Sequence, residues 1–89
     1  MKIVITIIGQ DKVGIVARVS TQLANRQVNI LDINQNIING FFNMVMIAEL
    51  QEGAVSLSDL QLELEHLGID IGVTIKVQHA DIFTAMHRI

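Results

Sequence analysis

The chain has 89 residues, of which 51% are apolar and 17% charged, with six basic against nine acidic side chains and a net charge of -3. That length allows one domain, since domains usually run to about 100–150 residues, and the high apolar fraction with low net charge excludes a disordered chain. The lack of Cys excludes a disulfide staple, a thiolate nucleophile, an iron–sulfur cluster and a Cys-type zinc site, and the acidic balance argues against nucleic acid, whose affinity rests on Lys and Arg.

Lys2 to Ile8 reads as a strand with Ile3, Ile5 and Ile7 on one face and Val4, Thr6 and Ile8 on the other. Both faces are largely apolar, as in a central strand covered on both sides. The segment Gly9 to Gly14 breaks the pattern. Ile15 to Gln27 follows as a helix, because Ile15, Val19 and Leu23 recur every four residues with Val16 widening the stripe. Asp11 is the expected N-cap. Val28 to Ile38 is the second strand, with Leu31, Ile33, Gln35 and Ile37 alternating with Ile30, Asp32, Asn34 and Asn36. One face is thus mainly polar, which suits an edge. Asn39-Gly40 predicts a tight hairpin, and Phe41 to Leu50 returns with Phe42, Met44, Met46, Ala48 and Leu50 as a wholly apolar face. Leu57 to Leu67 is the second helix, with Leu57, Leu60, Leu64 and Leu67 on one side, Ser58 and Gln61 as a capping box and Gly68 as its stop. Gly72 to His79 forms a fourth strand, with Val73, Ile75 and Val77 inward and Thr74, Lys76 and Gln78 outward. The segment 80–89 is expected to add a short C-terminal helix.

The order β-α-β-β-α-β in a single domain, 1–89, is the α+β ferredoxin-like arrangement, a four-stranded antiparallel sheet with two helices on one face. The helices leave the other face bare, and the surplus apolar residues of the first and third strands fall on it. Fifteen Ile and nine Val make the chain apolar beyond what so short a domain hides, since about 60–65% of the unfolded-chain surface is buried at this size. Self-association is the expected remedy. No apolar run reaches the ~18–20 residues of a membrane span. Asp11 and Lys12 stand where a signal peptide would need small residues, so neither a membrane nor a secretory leader is expected. A cytoplasmic location is.

This architecture hosts many functions, so the function has to come from a site. RNA recognition would need aromatics on the two central strands and a basic surround. The first strand has no aromatic, and adjacent Phe41 and Phe42 point to opposite faces. A phosphatase of this fold would need an Arg in the first loop, and GQDKVG has none. Gly9 and Gly14 match P-loop spacing, but Ile15 and Val16 stand where Lys and Ser or Thr are required. His66, His79 and His87 are scattered, and neither Glu63 with Glu65 nor Asp59 with Glu63 forms a catalytic pair. No nucleophile, base and orienting group can be named together, so no enzymatic activity, metal or cofactor is expected.

The first loop and the start of the helix remain. A helix N-terminus offers unpaired N–H groups and a partial positive charge that suit a carboxylate. Gly14 lets a ligand approach the backbone, Asn29 can donate and accept hydrogen bonds, and Asp11 suits an ammonium. Together they would fit a zwitterion such as a free amino acid. On spacing alone the plainer reading is that Gly14 eases a turn and Asp11 caps the helix.

D-K-V-G-I-V at 11–16, V-N-I at 28–30 and the element order resemble the ACT domain, a small regulatory module of amino-acid metabolism. The likeness spans nearly the whole chain. It is closest to the short stand-alone ACT-domain proteins of unassigned function, which have an ending like that from Ile82 to Ile89. The N-terminal half of the glycine-cleavage-system repressor is a more distant likeness. The resemblance implies a homodimer that binds an amino acid or similar small molecule between subunits and acts on a separate effector protein. It carries a ligand-binding role to Asp11, Lys12, Gly14, Ile15 and Asn29. Val13 stands where family members often have Pro, which would preset the first helical turn. The alternative is an interaction module of the same fold that binds no ligand.

Overall fold

Four strands and two helices form in the expected order; the structure, a computed structural model, describes residues 1–10 and 12–81. They are β1 (Lys2–Gln10), α1 (Ile15–Asn25), β2 (Val28–Ile38), β3 (Phe41–Leu50), α2 (Leu57–Ile71) and β4 (Val73–His79). The strands pair antiparallel in the order β2-β3-β1-β4. The doubly apolar β1 is therefore central, and the half-polar β2 lies at an edge.

Alternation in the strands and the four-residue repeat of the helices meet in one core. Ile3, Ile5 and Ile7 of β1, the Phe42-to-Leu50 face of β3 and Val73, Ile75 and Val77 of β4 are all buried. Ile15, Val19 and Leu23 of α1 and Leu60 and Leu64 of α2 close over them. Each large apolar side chain so buried contributes about 1.5–3 kcal/mol. Asn39 and Gly40 both have positive φ, 52° and 81°. That is the type I′ turn, whose twist matches the strands it joins. Phe42 is buried and Phe41 is 58% exposed, so the two do point to opposite faces.

Local details differ from the sequence expectations, each for a reason that lies in the packing. Gly9 does not end β1, which continues to Gln10 because Gly9 pairs with both Phe42 and Val73. A Cβ there would fall 2.6 Å from the Val73 side chain, so only glycine lets the strands meet so closely. The cap of α1 is Gly14, at φ 90°, and among the described residues no side chain caps this end; Asp11 itself lies outside the described residues. The helix stops at Asn25, short of the predicted Gln27, which takes the left-handed conformation with φ 59°.

In β2 the register with β3 shifts between Ile30 and Asp32. This bulge at Leu31 places Ile30 and Ile33 on the same side, whereas plain alternation would separate them. The cap of α2 is Ser56, not Ser58: the Ser56 hydroxyl accepts the Asp59 N–H at 3.2 Å. Gln61, freed from a capping box, donates to the Val77 carbonyl at 2.7 Å. Gly68 is inside α2 rather than its stop; the left-handed cap is Gly72. The described residues hold no separate helix after β4, and the helix expected over 80–89 falls, beyond Asp81, outside them. No helix among the described residues is long and apolar enough to cross a membrane.

Candidate functional site

The end of the sheet where β1 hands over to α1 is built from backbone more than from side chains. β1 finishes at Gln10, paired with Phe41. Gly14 then turns the chain into α1, and its carbonyl accepts the Arg18 N–H at 2.9 Å as the first intrahelical bond. The first turn of α1 contains no acidic residue, and among the described residues no side chain caps it. The leading N–H groups of a helix and the positive end of its dipole suit an anion. Among the described residues nothing lies within 4 Å of where a Gly14 Cβ would sit, although φ 90° strains any other residue there.

The remaining candidate residues are placed unequally. Ile15 is buried in the core, so only its backbone N–H is available to a ligand. Lys12 is exposed and reaches across to the far end of α2: a Cβ on Gly72 would come 2.6 Å from Lys12 Nζ. Its ammonium therefore lies at the carbonyl end of α2, where a cation complements the dipole. Part of its charge is thus offset by the α2 carbonyls, and the start of α1 is the remaining positive pole at this end. Asn29 is elsewhere. It pairs with Glu49, which in turn pairs with Lys2, at the opposite end of the sheet from Gln10 and Phe41. The separation is about 27 Å along β3, at ~3.4 Å per residue. Within one chain the structure brings Lys12, Gly14 and Ile15 together and leaves Asn29 apart.

Other polar features have structural work. Arg18, Gln22 and Arg26, one turn apart on α1, reach α2: Arg18 to Asp70 at 2.9 Å, Gln22 to Glu63 at 2.8 Å and Arg26 to Glu63 at 2.6 Å. Their four-residue spacing was the signal in the sequence for this ladder, but their partners were not legible there. His79 Nδ1 accepts the Asp81 N–H at 3.1 Å. His66 is exposed on α2, and His87 lies outside the described residues. Among the described residues no three His, Asp or Glu side chains cluster to hold a metal. A groove of about 450 Å³ runs between α2 and β4, lined by Gln61, Glu65, Thr74, Lys76 and Gln78. A second, of about 440 Å³, lies by Met1, Gly53 and His79. Neither includes the first loop.

Comparison with known proteins identifies the family and the fold. Residues 1–78 match the family model of the ACT domain. A UPF0237 protein of Bifidobacterium longum is 51% identical over 99% of this chain and 98% of its own length. The solved structure of an ACT domain protein from Streptococcus pneumoniae superposes with a TM-score of 0.83 at 37% identity, covering 93% of each chain. A structure assigned as a glycine cleavage system transcriptional repressor superposes at a TM-score of 0.77 and 20% identity. That match covers 86% of this chain and 45% of the other, and shows a shared fold.

Proposed function

This chain belongs to the ACT domain family, among its UPF0237 proteins, and from that membership we propose that it is a regulatory protein that pairs with a second copy, binds an amino acid or similar metabolite where the subunits meet, and acts through a separate effector protein. The observation that carries the ligand is the open start of α1. Among the described residues no side chain caps the first turn or crowds Gly14, and Lys12 precedes it with its ammonium at the end of α2. A ligand carboxylate would take the free N–H groups, as anions do at helix N-termini. Ile15 contributes through its backbone alone. The role proposed for Asn29 requires a copy whose strands run against the first, since its own chain holds it at the other end.

A thermal-shift screen against the free amino acids tests this reading. A ligand at 100 times its dissociation constant adds about 2.7 kcal/mol, which for a domain of this size raises Tm by about 10–20 °C. The response should disappear in Gly14→Val and weaken in Lys12→Ala. No shift with any amino acid at millimolar concentration would refute ligand binding. It would favour the second reading, an interaction module without a ligand, whose support is the apolar face of the sheet that the helices leave bare.

A further inference from the structure

The sheet face away from the helices carries the even-numbered residues of β1 and β4 and the odd-numbered residues of β3. Its exposure changes along the strands. Ile8 is 54% and Val45 44% exposed, whereas Val4 is only 4% exposed. Val4 is a buried apolar residue that stands outside the core cluster under the helices. Its partners across the sheet, Ile47 on β3 and Gln78 on β4, are half-buried. Flanking strands alone do not produce this. Val45 is also flanked on both sides, by Thr6 and Asn34, and it stays open. Something lies over the Val4 end of the face and not over the other.

Among the described residues no helix or strand lies on this face, since α1 and α2 both pack on the other. Two stretches of chain lie outside the described residues, and one of them starts near Val4. Asp11 follows Gln10, which pairs with Phe41 at the far end. Residues 82–89 leave the sheet at the near end: His79 pairs with Ile3, next to Val4, and Asp81 follows two residues later. Five of these eight residues are apolar, Ile82, Phe83, Ala85, Met86 and Ile89. The reach is sufficient. Val4 and Ile47 lie one and two strands in from β4, about 5 and 10 Å away. Eight residues span about 12 Å when helical and up to about 26–29 Å when extended.

We propose that residues 82–89 turn back from β4 as an intramolecular strap and cover the second face of the sheet at its Val4 and Ile47 end. The apolar residues of the segment take the place of water there, which removes apolar surface that the helices cannot reach. The face is thereby divided into a closed end and an open end at Ile8 and Val45. The strap sets how much apolar surface the domain presents, and a partner that needs the whole face must first displace it. This holds whether or not the chain pairs or binds a ligand as proposed above.

The test places single cysteines in the full chain, which has none of its own. Alkylation by iodoacetamide is followed by mass spectrometry, with far-UV circular dichroism to verify folding. A thiol under a strap reacts only when the strap opens. Removing residues 82–89 should therefore speed the reaction of Ile47→Cys by about tenfold or more and leave Val45→Cys, at the open end, unchanged. In the full chain the protection of Ile47→Cys should not depend on protein concentration. Equal rates for Ile47→Cys with and without the segment would overturn the proposal. Protection that fades on dilution would overturn it as well, and would assign the cover to a second copy. Should the shortened chain not fold, nuclear Overhauser contacts in the intact chain decide. The Val4 methyl groups should show contacts to protons of residues 82–89, and contacts to none of them would refute the strap.

Discussion

Replacing Gly68 by alanine sets two effects of known sign against each other. In a free helix interior the change would stabilise by about 1 kcal/mol, because glycine carries excess backbone entropy. Here the new Cβ would lie 2.6 Å from the Val73 carbonyl oxygen and 3.2 Å from Ile75 Cγ1. The nearer contact is backbone at the start of the edge strand β4, so no side chain can rotate aside. Either α2 lifts from β4 or β4 shifts out of register with β1. Overpacking of this kind costs about 1–3 kcal/mol, and a rigid backbone neighbour places it at the upper end. The net expectation is a loss of about 2 kcal/mol, which lowers Tm by roughly 8–16 °C. The assay is urea unfolding followed by far-UV circular dichroism at fixed protein concentration, since the chain has no Trp or Tyr to report by fluorescence. The midpoint should fall with the denaturant slope unchanged. A Gly68→Ala variant as stable as the wild type, or more so, would show that helix propensity prevails and that α2 does not need glycine to approach β4.

Two local changes complete the test of the fold, read in the same unfolding assay. Ser56→Ala removes the acceptor for the Asp59 N–H and should cost about 1 kcal/mol; Ser58→Ala should cost little, and the reverse result would restore Ser58 as the cap. Gln27→Gly relieves a left-handed residue at the end of α1. The conformation costs a non-glycine residue about 1–2 kcal/mol, part of which returns as unfolded-chain entropy. A gain of about 0.5–1 kcal/mol is expected, and a loss would mean that the Gln27 side chain makes a contact that outweighs the strain.

The functional site was half legible in the sequence. Gly14 was visible as a loop glycine, but its use as the cap depends on the chain path out of β1. Lys12 looked like a ligand group, and only the packing of the α2 end against the first loop shows what else its ammonium serves. Asn29 looked adjacent to the loop because it opens the strand after α1. The α1 crossover with its flanking turns carries the chain to the opposite end before β2 begins, so nearness in sequence became distance in space.

The sequence by itself determined which elements form and which sides they bury. Period-two alternation in β3 and β4, the four-residue repeat of Ile15, Val19 and Leu23, and Asn39-Gly40 are local signals, and local sterics and burial enforce them wherever the rest of the chain lies. The surplus of Ile and Val was traceable to the bare sheet face only in part: Ile8 and Val45 are exposed there, but Val4 is buried, and Ile33, Ile37 and Ile69 are exposed elsewhere. What only the tertiary structure decided was non-local: the bulge that puts Ile30 and Ile33 on one side, the glycines at 9 and 68 where two backbones meet, and the rows that set Asn29, Glu49 and Lys2 at the opposite end of the sheet from Gln10 and Phe41. Those depend on the register between strands far apart in the chain, which no window of sequence contains.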